Sequence, residues 1–300
     1  MLTIFTTTKD FIGSNKVNQL NAIRSWLKAP YAIEVLVFGE SEGLNEVIKD
    51  YQLKHIPNIK TSQSGVPLVS EMFIEASKYA SYNMLCFLNA DIILTSSFFY
   101  DIQTIHKKTH KNYLIIGQRL DVDVNKELKF DKNWEAQFFD DYKSNIKVHP
   151  PYGSDFFVFP IHQYNSDNIP PLLVGRPGWD LWMIYNARKR HLKTIDLSFS
   201  TKVIHQNHDY SHKISDSKKR REDDEFNYQY FKEDEKYIFL LESCNYCFTD
   251  GKLKRNFAKG NLNNFLLLES KIYGEESIHF LKARILAKLV KTLKKIFKSN

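Results

Sequence analysis

Three short stretches of the chain carry residue types that could do chemistry. The first is Asn89-Ala90-Asp91, which follows the apolar run LCFL and precedes IIL. A carboxylate just past a buried strand sits at the edge of a sheet where ligands bind. There it can hold a divalent cation, and the cation can neutralise a diphosphate. By itself the triplet fits a turn or a helix cap equally well. The second is Gly178-Trp179-Asp180, at the head of a helical stretch. Asp180 could simply cap that helix and Trp179 could simply be core. The other reading is an aromatic face and a carboxylate presented together, the acid serving as a general base toward a hydroxyl. The third runs from His205 to His212 and holds three of the ten histidines in eight residues. One such histidine at a strand end, with Asp91, makes a plausible cation site. The blander alternative is an exposed polar loop.

The elements that must position these residues can be read from apolar spacing. Leu2–Phe5, Glu34–Phe38, Asn83–Leu88 and Tyr113–Ile116 read as strands. Asn15–Leu27, Leu44–Tyr51, Pro67–Tyr79 and Phe98–His110 read as helices. This alternation predicts an α/β fold with a mostly parallel sheet covered on both faces. Ligands bind such sheets at the carboxyl ends of the strands. The second half is less regular. Asp155–Pro160, Thr194–Leu197 and Lys202–His205 read as short strands, and a Pro/Gly-rich loop over 169–180 leads into a helix over Leu181–Arg190. The stretch from His212 to Tyr237 sets KKRR (Lys218–Arg221) beside EDDE (Glu222–Glu225), which predicts a solvated loop or an exposed helix.

Composition narrows the function classes. With 300 residues, 43% hydrophobic and 14% aromatic, the chain can bury a core. The formal charge is +7, and seven Lys or Arg with no acid fall between Ile278 and Asn300. The rest holds 35 basic and 35 acidic residues. A neutral body does not predict a nucleic-acid-binding domain. Cys86 reads as core, and Cys244 and Cys247 lack the second ligand pair of a zinc site. Sparse cysteines fit a reducing compartment. Neither a signal peptide nor a membrane-spanning run is expected. GxSxG, P-loop and GxGxxG patterns are absent, so serine-hydrolase, phosphate-loop and dinucleotide readings lose their usual support. Ile278, Leu281, Ile285, Leu286, Leu289, Val290, Leu293, Ile296 and Phe297 recur at helical spacing, with the cations mainly between them. That pattern predicts a basic amphipathic helix over 278–300 that lies on an anionic membrane surface. The competing reading packs it on the body or on a second copy.

Taken in order, FTTTK, the helix with Asn18, Asn21 and Ser25-Trp26, EVLVFGE, GVPLVSEMF, LCFLNADIIL, IIGQRLDVDV, GSDFFVFP, IPPLLVGRPGWDLWMIYNAR and VIHQNHDYSH resemble the segments of the nucleotide-diphospho-sugar transferase (GT-A) superfamily. The resemblance covers about Met1 to His212. It implies a GT-A-type catalytic domain, expected over 1–235; a C-terminal addition over 236–277 and the basic helix over 278–300 lie outside the resemblance. It also implies sugar transfer from a nucleoside-diphosphate sugar to a saccharide or lipid-linked acceptor, assisted by Mn²⁺ or Mg²⁺; the basic helix, read separately, would place this on the cytoplasmic face of a membrane. Residue by residue, Thr6, Thr8 and Glu40 would lie near the base and ribose, and Gly65 would open the helix lining the donor pocket. Asn89 and Asp91 stand at the place of the family's DxD and would face cation and diphosphate, with Arg119 and Asp121 lining the cleft behind. Asp155 and Trp179 would meet the acceptor, and Asp180 would be the base of an inverting transfer. His205 stands at the place of the late metal-binding histidine, with His208 as the other candidate.

The competing readings are a catalytically silent sugar- or membrane-binding protein with a degenerate DxD, and a nucleotidyltransferase. For the latter TTTKDFIGSN poorly matches the expected Gly-rich basic loop. Nucleic-acid binding through the tail ranks last.

Overall fold

The computed structural model describes residues 1–109, 111–208, 217–230, 240–256 and 262–296. The apolar runs of the first half become strands buried on both sides, because helices cover each face. In chain order come β1 (Leu2–Thr7), α1 (Gly13–Trp26), β2 (Ile33–Phe38), α2 (Leu44–Tyr51), β3 (Lys54–Ile56), α3 (Val69–Tyr79) and β4 (Met84–Leu88). Then follow β5 (Ile92–Leu94), α4 (Ser96–Thr109), β6 (Tyr113–Ile116), β7 (Leu120–Val122), α5 (Trp134–Asp141), β8 (Lys147–Val148) and β9 (Phe156–Pro160). The remainder is α6 (Trp179–Lys189), β10 (Lys193–Asp196), β11 (Val203–Gln206), α7 (Ser217–Tyr228), β12 (Tyr246–Thr249), β13 (Lys252–Arg255), α8 (Leu262–Tyr273) and α9 (Ile278–Ile296).

The central sheet has the order β13-β12-β10-β6-β9-β4-β1-β2-β3. It is parallel except that β9 runs antiparallel between β4 and β6, and β13 runs antiparallel at one edge. Period-two alternation splits its side chains cleanly. Ile4, Val35, Cys86 and Val158 face α1, α2 and α4, while Phe5, Leu36, Phe87 and Phe157 face α3 and α6. On that second face Phe73 of α3 stacks on Phe159 at 5.0 Å and meets the edge of Phe5 at 5.1 Å. β12 and β13 extend this same sheet at one edge.

A second sheet, β5-β11-β7-β8, positions the site. Its edge strand β5 is capped by α1. Trp26 Nε1 donates to the Ile92 carbonyl (2.7 Å), and Ser25 Oγ accepts from the Leu94 amide (3.0 Å). This explains why α1 buries polar side chains that a purely apolar stripe would omit. Among the described residues no helix is long and apolar enough to cross a membrane. The remainder of the histidine-rich run (Asp209 to His212), His110, residues 213–216 and 231–237 of the charged stretch and Phe297 to Asn300 lie outside the described residues.

Candidate active site

The register of the second sheet gathers side chains that are far apart in the chain. β11 pairs antiparallel with β5, setting His205 beside Ile92, and pairs parallel with β7, setting His205 beside Asp121. Asp91 precedes β5 and His208 follows β11 by two residues. Asp91 Oδ2 therefore lies 3.3 Å from His208 Nε2 and 3.7 Å from His205 Nε2. Ligand atoms of these three residues all lie within 4.8 Å of one another. The other Asp91 oxygen, Oδ1, is buried with no hydrogen-bond partner among the described residues. A bare buried carboxylate oxygen is costly, and a bound cation would satisfy it. One carboxylate and two imidazoles at this spacing fit a divalent cation and leave positions for ligand oxygens. Burial opposes ionisation of Asp91, but hydrogen bonding by His208 and the charge of His205 outweigh it and hold the carboxyl below its usual range. Burial likewise disfavours charged His205, yet Asp121 and Asp91 raise its proton affinity. The negative field that favours a proton there also favours a metal ion.

Behind the ligands runs a chain of charge pairs. Asp121 Oδ1 lies 3.3 Å from His205 Nδ1, and its Oδ2 lies 2.7 Å from His149 Nδ1. Arg119 Nε donates to Asp121 Oδ1 (2.9 Å) and Arg119 Nη1 to Asp155 Oδ2 (2.5 Å). Asn89 Nδ2 closes the chain by donating to Asp155 Oδ1 (2.7 Å). Burial works against ionised Asp121, but His205, His149 and Arg119 together pull its carboxyl far below the carboxylate range. A carboxylate that fixes one ring nitrogen of a histidine aims the other at the metal position. The network also explains Asn89. An aspartate there would set a second carboxylate against Asp155, whereas the amide donates to it.

These residues floor a cleft of about 660 Å³, a size that suits a small-molecule ligand. It opens at the carboxyl ends of β1 and β4. Because β9 runs antiparallel, its amino end delivers Asp155 to the same edge, opposite Asn89. Gln19 of α1 clamps the loop after β1, accepting from the Lys9 amide (2.7 Å) and donating to the Lys9 carbonyl (2.9 Å). The outer wall comes from the Ser64–Pro67 turn, the Val174–Arg176 segment and α7. The buried Asp223 of α7 stitches these together, accepting from Ser64 Oγ (2.7 Å) and Arg176 Nη2 (2.8 Å). Asn227, wholly buried, accepts from the Leu173 amide (2.8 Å) and donates to the Pro177 carbonyl (3.2 Å). The KKRR–EDDE stretch is therefore not a merely solvated helix. It turns Lys219, Arg220 and Asp223 to the cleft.

Of the residues expected from the sequence, Thr8, Gly65, Asn89, Asp91, Arg119, Asp155, His205 and His208 line this cleft. Five do not. Thr6 is buried in β1 and donates to the Thr7 carbonyl, since strand alternation turns Thr7 to the cleft in its place. Glu40 stays largely in solvent, 3.8 Å from His55. Asp121 stands behind His205 and not on the cleft wall. Trp179 is core, its ring 4.9 Å from Phe157 and 5.2 Å from Phe87, so it offers no face to an acceptor. Gly178 at φ +88° turns the chain into α6 and sends Trp179 inward. Asp180 is half-buried in the first turn of α6 and does not line the cleft; its Oδ2 accepts from the Ser154 amide (3.1 Å), one residue from Asp155, which does. Burial first, and neighbouring Asp155 second, push its carboxyl upward against the pull of backbone amides. Sequence reasoning gave no role to Lys9, His149 or Arg176 individually, and read the charged blocks that hold Lys219, Arg220 and Asp223 as solvated.

No protein-family model matches the chain, and no curated protein sequence matches it. Solved structures similar to it include S. aureus TarS 1-349 in complex with UDP-GlcNAc, at 14% identity over 71% of this chain and 60% of that one, with a TM-score of 0.45. S. aureus TarS is similar at 13% identity over 69% of this chain and 36% of that one, with a TM-score of 0.43. GalNAc-T7 with UDP, GalNAc and Mn²⁺ is similar at 13% identity over 70% of this chain and 44% of that one, with a TM-score of 0.46. The chain thus spans between 36% and 60% of the length of these structures. This chain's own architecture is a mostly parallel sheet flanked by helices with a helical C-terminal extension.

Proposed function

We propose that the protein is a glycosyltransferase that moves a sugar from a nucleoside-diphosphate sugar to a saccharide or lipid-linked acceptor, as in the building of a polysaccharide. One observation carries this reading. Asp91, His205 and His208 converge within 4.8 Å on the floor of a ligand-sized cleft at the carboxyl ends of β1 and β4. A divalent cation held there would neutralise the diphosphate as it leaves. Two imidazole nitrogens favour Mn²⁺ over Mg²⁺, which prefers oxygen ligands. Arg176, Lys219 and Arg220 on the outer wall give the diphosphate further positive charge.

Asp180 is the base in this reading, and the transfer is inverting. Asp91 and Asp121 are held by histidines, and Asp155 by Arg119 and Asn89. Burial raises the proton affinity of Asp180, which supports this role, and its Oδ2 sits on the Ser154 amide beside the cleft residue Asp155. The donor site, Thr8 and Gly65 included, belongs to the same proposal.

The test is the melting midpoint of the protein with UDP and other nucleoside diphosphates, each with and without Mn²⁺. A ligand that binds only the folded state raises the midpoint. The expected result is a rise with one nucleotide class that needs Mn²⁺ and disappears in Asp91→Ala. No rise with any nucleotide at millimolar concentration would remove the transferase reading.

A further inference from the structure

The transfer chemistry leaves α9 unused. This helix packs on α8 through Phe280, Ala283 and Ala287, its buried side chains. α8 in turn is fixed to the body. Arg188 of α6 donates to the Ser243 carbonyl and to Glu269, Lys189 Nζ donates to the Ile272 carbonyl (2.8 Å), and Tyr273 OH donates to the Arg188 carbonyl (2.8 Å). α9 is therefore held by the body along one face.

The opposite face is different. Ile278, Leu281, Ile285 and Leu289 recur at spacings of three and four and form one stripe about 16 Å long. All four are exposed, Ile285 by 61% and Leu289 by 57%. At 100° per residue the stripe lies directly across the helix from Ala283 and Ala287. Arg284, Lys288 and Lys291, all exposed, form a third face between the two, and exposed Lys282 flanks the stripe on its other side. No acid occurs between Ile278 and Asn300.

An apolar stripe of this size in water is unfavourable unless something covers it. The cover must be apolar where Ile285 and Leu289 point and anionic where Arg284 and Lys288 point. The headgroup layer of an acidic bilayer has both properties in one plane. A second copy of the chain does not. An isologous contact would set the same unrelieved cations against each other. Nucleic acid offers phosphates but no apolar layer for the stripe. We propose that the Ile278–Leu289 stripe docks the protein on an anionic lipid surface, with its isoleucines and leucines in the headgroup layer and the flanking cations on lipid phosphates. This attachment stands apart from the transfer reading, and either can fail alone.

Flotation of the full chain with vesicles tests it. Vesicles of phosphatidylcholine mixed with phosphatidylserine are expected to carry the protein up, and vesicles of phosphatidylcholine alone are not. High salt should weaken the binding without abolishing it. Ile285→Ser with Leu289→Ser keeps every cation and alters only exposed positions, so its melting midpoint should match the parent. Its binding to the acidic vesicles should fall by about tenfold or more. Lys288→Ala with Lys291→Ala should lose the preference for acidic lipid. Undiminished binding by the serine variant would reduce the attachment to charge alone and overturn the proposal. So would failure of the parent to float with either vesicle. A dimer in sedimentation that the serine variant loses, without vesicle binding, would give the stripe to a second copy.

Discussion

Among single residues, Asp121 shows how a carboxylate can matter without touching a ligand. It holds His205 and His149 and is held by Arg119, so His205 Nε2 is aimed before any ion arrives. Asp121→Asn keeps the shape but surrenders the charge that fixes the ring. Mn²⁺ affinity measured by calorimetry should fall roughly 10–100-fold, and unchanged affinity would make Asp121 a bystander. Asp180 makes the opposite case. Burial disfavours its ionised form, so the charge needed by a base costs folding stability at neutral pH, and that cost is relieved as pH falls through the raised pKa. Turnover should drop over the same acid range, because the base must be ionised to accept a proton. Asp180→Asn should lose at least about 100-fold in kcat while its melting midpoint stays level or rises. A variant that keeps its rate would assign the base elsewhere.

Among elements, α1 and the second sheet depend on each other. Asn21 donates to Gln206 Oε1 (2.9 Å) and to the Lys126 carbonyl (3.0 Å), and it accepts from the Leu128 amide (2.8 Å). Gln206 then donates to the carbonyls of Asn18 (2.8 Å) and Asp91 (3.0 Å). One helix side chain thus ties the strand bearing His205 to the turn bearing Asp91. Asn21→Ala strands two of these partners, each worth about 1–3 kcal/mol when left unsatisfied. Urea unfolding should therefore report a loss of about 2–6 kcal/mol. A midpoint unmoved by the substitution would mean that water replaces the amide without cost.

On the scale of the whole molecule, two sheets divide the work. The large one is a rigid, doubly covered support, and the small one sets the ligand register along its edge. α6 links two surfaces, with Asp180 in its first turn beside the cleft and Arg188 in its last turn against α8. Charge is divided as well. Outside Ile278–Asn300 basic and acidic residues balance, and the uncompensated cations lie in that C-terminal stretch, none of whose residues lines the cleft.

Much of this was legible in the sequence wherever a local pattern forces one outcome. Long apolar runs with helices between them can bury both faces only as a mostly parallel sheet, and β1, β2, β4 and β6 follow that rule. Asp91 and His205 were legible because each sits at the end of such a run. The short strands β5, β7 and β8 carry two or three residues each, too few for alternation to register, and they set the site. Pairing partners decided that Asp121 meets His205 and that Asn89 meets Asp155. Helix phase after Gly178 decided that Trp179 points into the core. The sequence by itself determined the elements and the chemical inventory, because propensity and apolar period act over a few neighbouring residues. The tertiary structure alone decided which carboxylates face the cleft and which stand behind it, because strand register and burial depend on contacts between segments far apart in the chain.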